Sequence, residues 1–121
     1  MGRPSNSAER RAQIVDGMLA VMQRSGYEGA TIQAIGKAAG LSPGLLHYHF
    51  ATKQEVLIAL VETLTAQLAE RYEAHKAAAG SPAERLYAFI DAHVALGRDA
   101  DPRAVAAWNV VGSEALRNPE V

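Results

Sequence analysis

Between Thr31 and Lys53 the chain gathers side chains able to donate hydrogen bonds to an anion, and that stretch contains no Asp or Glu. On a helical period Pro43, Gly44, His47 and Tyr48 fall at i, i+1, i+4 and i+5 and share one face. His47 and Tyr48 can donate to phosphate oxygens, and Gly44 lets a backbone come close to a polyanion. Contacts of that kind orient a protein on DNA without reading its sequence. A helix laid in the major groove reads base edges with its N-terminal residues, while its amide dipole favours neighbouring phosphates. The chemistry on offer is therefore binding to a DNA duplex. The bland alternative is an ordinary helical hairpin inside a core, and the polar and aromatic cluster opposite Leu46 argues against it.

Two short helices around a turn are needed to hold that face out. In Thr31–Phe50 the residues Ile32, Ile35 and Ala39 form an apolar stripe, and Thr31 stands where a hydroxyl caps the first free amides. Gly40 ends this helix, because glycine accepts the left-handed conformation of a tight turn. Gly36, four residues before Gly40, leaves no side chain where the second helix is expected to pass close by. Ser42 then caps a second helix with Pro43 at its first position, where a missing N–H costs nothing. Leu41, Leu46 and Phe50 are expected to anchor inward. The stretch reads as a helix-turn-helix.

The run from about Arg10 to Leu60, above all AIGKAAGLSPGLLHYHFATKQEVLIAL, resembles the DNA-binding domain of TetR-family transcriptional regulators. The likeness rests on the Gly40 turn, the Ser42-x-Gly44 opening, the His49-Phe50 end and Lys53 at the start of the next helix. It implies a mostly dimeric repressor, released from a palindromic operator by a small-molecule inducer. Transferred position by position, it implies a DNA-binding set in which Thr31, His47 and Lys53 meet phosphates. Gln33, Pro43, Gly44, Leu45 and Tyr48 lie near bases or backbone, with Ser42 and His49 completing the set. Two positions depart from the family pattern. Alanine is usual at Gly36, and glycine weakens a helix by roughly 1 kcal/mol; tyrosine is common at His47, so a phosphate contact there acquires a pH dependence.

The flanking elements follow from punctuation and period. Met1–Ser7 reads as a flexible terminus, which is a simpler role for Arg3 than an arm reaching DNA. A helix over about Ser7–Ser25 carries Ile14, Val15, Met18, Leu19 and Met22 and stops at Gly26; Tyr27 packs at its boundary. Arg10 and Arg11, in its first turn, are more simply solvated charges than phosphate ligands. Thr52-x-x-Glu55 is a capping box that opens a long helix to about Lys76, and Ser81-Pro82-Ala83-Glu84 is another, opening a helix to about Leu96 with a stop at Gly97. Leu86, Phe89, Ile90, His93 and Val94 form the apolar stripe of that helix. Asp101-Pro102 opens the last helix, with Val105, Trp108, Val111 and Leu116. His93 and Trp108 are candidates to line a ligand cavity, although core packing is the simpler role for each.

The 121 residues, 49% hydrophobic and 21% charged, suit one core and are too few for two ample ones. No cysteine is present, which excludes disulfides and agrees with a reducing cytoplasm. No apolar run reaches the roughly 18–20 residues of a membrane span, so no membrane partner is expected. Residues 1–53 hold six Lys/Arg against three acids, a balance of +3, whereas the remainder is −4. That asymmetry turns the head toward phosphate. His47 and His49 stand about 200° apart on a helix and cannot chelate one metal, and no nucleophile set or phosphate-binding loop appears, so neither catalysis nor a cofactor is expected.

The expected architecture is all-α: a three-helix helix-turn-helix head, residues 1–53, joined by a long helix to an incomplete helical ligand-binding domain, residues 54–121. The segment WNVVGSEALRNPEV resembles the middle of the regulatory domain in members related to the betaine-responsive regulators. The resemblance implies two or three further helices, which form the homodimer interface, beyond Val121. The chain then reads as a fragment, a cleaved product or a truncated open reading frame. The competing reading is a helical protein-interaction module whose helix-turn-helix has lost DNA binding.

Overall fold

In the computed structural model, which describes residues 4–94 and 102–121, every regular element is an α-helix. They are α1 (Pro4–Gly29), α2 (Ile32–Ala39), α3 (Pro43–His49), α4 (Lys53–Ala77), α5 (Pro82–Val94) and α6 (Pro102–Ala115). The all-α expectation holds, and each capping signal is used. Thr52 Oγ1 accepts from the Glu55 amide at 3.2 Å, and the Glu55 carboxylate accepts from the Ala51 amide at 2.8 Å. Ser81 and Glu84 repeat the arrangement at the start of α5.

α1 starts earlier than expected. Asn6 and Ser7 belong to its first turns rather than to a flexible arm, since proline is tolerated in a helix's opening turn. Arg3 lies outside the described residues. At Gly26 the backbone leaves the helical region with φ 66°, and one more turn follows to Gly29. The expected stop is thus a break that reorients Tyr27.

One apolar core runs through the head and into the body. Ile14, Met18 and Met22 of α1 meet Ile35, Leu46, Val56, Leu57 and Leu60, and Ala107 and Val111 of α6 join the same cluster. The Ile, Leu, Val and Met side chains buried this fully contribute roughly 1.5–3 kcal/mol each. α6 packs mainly on α1, so the body is braced directly against the helix that carries α2 and α3. The turn after α6 adds a hydrogen bond from Gln54 Nε2 to the Glu120 carboxylate.

α5 departs from expectation. Its buried residues are Ala88 and Ala92, while Leu86, Phe89 and Ile90 stay 60%, 48% and 42% exposed, and His93 is exposed too. α5 packs on α4, and one helix cannot cover so wide an apolar face. The small side chains take the contact, and Phe89 meets the edge of the Tyr72 ring and lies against the His93 ring of its own helix. Leu116 follows the end of α6 in a turn and is exposed, not part of its stripe. The Val94 side chain, Leu96, Gly97 and Asp101 lie outside the described residues.

Candidate nucleic-acid interface

Each end of α2 and the start of α3 are closed by the residues the sequence places there. Thr31 Oγ1 accepts from the Ala34 amide at 3.1 Å, and Ser42 Oγ accepts from the Leu45 amide at 3.2 Å. Both hydroxyls are exposed and keep their own proton to donate outward. Gly40 sits at φ 71° after α2, and the Leu41 amide bonds back to the Gly36 carbonyl at 2.8 Å. This is a Schellman closure, which requires a residue comfortable at positive φ. A Cβ on Gly36 would lie 2.8 Å from the Leu41 carbonyl oxygen. What approaches Gly36 is therefore the turn itself.

α3 is held from beneath by Leu46, which is fully buried, and by Phe50, the residue closing its C-terminus. Its other face is open: Pro43, Gly44, Leu45, His47 and Tyr48 are exposed, Tyr48 at 81%. His49 is half-buried and meets the edge of the Tyr48 ring, with centroids 5.1 Å apart. Gln33 points from the exposed side of α2. Lys53, half-buried at the first position of α4, rests its ammonium 3.9 Å from the centroid of the Tyr27 ring. α2 and α3 with their cap residues Thr31 and Ser42, and the start of α4, thus carry all ten residues of the expected interface. Among the described residues no group of three or more His, Asp or Glu can hold a metal.

Arg11 is not the solvated charge expected. From α1 it donates to the His49 carbonyl at 2.8 Å and lays its guanidinium 4.1 Å from the centroid of the Phe50 ring. A cation at a helix C-terminus satisfies a free carbonyl and opposes the dipole. Arg11 therefore fixes the far end of α3 from another helix. The hydrogen-bond partner lies 38 residues away, and no local spacing announces it. Arg10 instead bonds Gln13 on its own helix at 3.0 Å.

Tyr27 also takes more than a boundary role. Burial, then the carboxylates of Glu114 and Glu28, raise its phenol above the usual value of 10.0. A cavity of about 370 Å³ separates this end of α1 from α6 and is lined by Tyr27, Glu28, Ser113 and Glu114 among others.

In the body, His93 and Trp108 line one cavity of about 480 Å³ with Leu68, Val105 and Asn109. Neither is a fully buried core side chain: Trp108 is half-buried, and His93 is exposed with Nδ1 2.7 Å from the Phe89 carbonyl. The expectation of His93 as a buried polar core residue is corrected accordingly. Its hydrogen bond is local, to its own helix.

Residues 14–60 match the family described as bacterial regulatory proteins, tetR family. The chain is 38% identical over 112 residues to the HTH-type transcriptional regulator BetI of Rhizobium meliloti, covering 93% of this chain and 55% of that protein. It is 35% identical over 68 residues to the HTH-type transcriptional repressor AcnR of Corynebacterium glutamicum, covering 56% of this chain and 35% of that protein. Among solved structures it is similar to a transcriptional regulator from Rhodococcus sp. Rha1, with a TM-score of 0.78 at 28% identity, over 90% of this chain and 57% of that one. The chain thus spans little more than half the length of the BetI relative and of the solved structure.

Proposed function

Because the chain belongs to the tetR family of bacterial regulatory proteins, we propose that it is a sequence-specific DNA-binding transcriptional regulator. The observation that carries this reading is α3, whose Leu46 side is locked into the core while Pro43, Gly44, His47 and Tyr48 stand free. α3 enters the major groove. Thr31, Ser42, His47 and Lys53 hold phosphates, and Gln33, Leu45 and Tyr48 face bases or sugar, with His49 at the edge. Residues 1–53 act as the DNA-binding unit and 54–121 as part of a regulatory unit. The molecule works by binding rather than by catalysis.

The finer reading is a repressor that binds a palindromic operator as a homodimer and leaves it when a small molecule binds the body. The C. glutamicum relative's name as a repressor favours that sign of control. The cavity beside His93 and Trp108, apolar with few polar groups, is the place proposed for the inducer. The cytoplasm, where the chromosome lies, is the compartment this implies, and no helix among the described residues is long and apolar enough to cross a membrane.

Titration of the chain into labelled duplexes at several salt concentrations tests the reading. His47→Ala and Lys53→Ala should each weaken binding to every sequence and reduce the salt slope by about one. Equal affinity for wild type and both variants would remove the phosphate roles.

A further inference from the structure

Lys53 stands where helix electrostatics disfavour it. It is the first residue of α4 after the Thr52 cap, and a cation there opposes the positive end of the helix dipole. What it gains in return is the face of Tyr27: the ammonium lies 3.9 Å from the ring centroid, and both residues are half-buried. An ammonium on a ring still has N–H donors to offer a phosphate. Tyr27 reaches this place because Gly26, at φ 66°, breaks α1 immediately before it. Tyr27 also lines the cavity shared with α6.

We propose that Tyr27 is a positioning residue for the Lys53 phosphate contact, holding the ammonium in place before DNA arrives. This rests on the DNA-binding reading above. The aromatic face carries the role and the phenolic hydroxyl does not, so Tyr27→Phe retains it and Tyr27→Leu loses it.

The test compares wild type, Tyr27→Phe, Tyr27→Leu, Lys53→Ala and the Tyr27→Leu/Lys53→Ala double variant in duplex titrations across salt, each first shown to be folded by circular dichroism. Tyr27→Leu should bind about two- to fivefold more weakly, the equivalent of one exposed cation–π contact. Its salt slope should move toward that of Lys53→Ala, and it should add no further loss in the double variant. Tyr27→Phe should match wild type. A wild-type slope for Tyr27→Leu, or full additivity with Lys53→Ala, overturns the proposal and leaves the DNA reading intact. Failure of wild type to bind any duplex overturns both. If Tyr27→Leu does not fold, the NMR shift of the Lys53 ε-methylene protons in the wild-type protein decides. An upfield shift that changes when the duplex is added supports the positioning role, and an unshifted signal overturns it.

Discussion

Arg11 acts twice on the end of α3, through a hydrogen bond to the His49 carbonyl and through its stack on Phe50. Replacing it by alanine should cost roughly 1–2 kcal/mol of stability, the sum of a charge-assisted hydrogen bond and a cation–π contact discounted for exposure. Arg11→Lys should recover only part, because lysine lacks the planar fork that can do both. Chemical denaturation of the two variants checks this, and equal stability of Arg11→Ala and wild type would show the contacts to be idle. For base reading, Gln33→Ala should relax preference at one operator position, visible as a change in the bound-sequence logo; an unchanged logo removes Gln33 from base contact. Tyr27 supplies a pH dependence. Because its folded-state pKa is raised, the folded chain holds a proton that the unfolded chain has lost, so stability falls as pH rises above about 10. Tyr27→Phe should lessen that fall in thermal melts, and an identical decline would place its cause elsewhere. At this scale the candidate face was legible because Pro43, Gly44, His47 and Tyr48 are neighbours on one helix. Arg11 was not, since its role depends on how two helices cross.

At the scale of elements, caps and turns were readable because each is a local contract between residues three to five apart. Thr31, Ser42, Thr52 and Ser81 all accept the amide three residues on. Gly36 makes the same point with a consequence. Alanine there would gain roughly 1 kcal/mol of helix propensity, but its Cβ would press on the Leu41 carbonyl at 2.8 Å. Forcing atoms into packed space typically costs about 1–3 kcal/mol, so Gly36→Ala should be no more stable than wild type and should bind DNA more weakly through a displaced α3. A higher melting temperature with unchanged affinity would mean that the turn yields freely. α5 shows where periodicity stops informing. Leu86, Phe89 and Ile90 define a face, but which face is buried depends on what stands opposite, and among the described residues α4 takes Ala88 and Ala92 instead.

For the molecule as a whole, the division of charge and the continuity of the core pull in different directions. Residues 1–53 carry +3 and the rest −4, which turns one end toward a polyanion and the other away. Yet Ala107 and Val111 of α6 share the apolar cluster that holds Leu46, so one continuous core underlies both charge halves. Selection of bound fragments from the source genome at roughly physiological salt, where non-specific binding is weak, tests sequence-specific DNA binding most directly. Recovery of an inverted repeat is the predicted result, because operator symmetry mirrors the symmetry of a dimer. No enriched sequence from protein shown to be folded would contradict it.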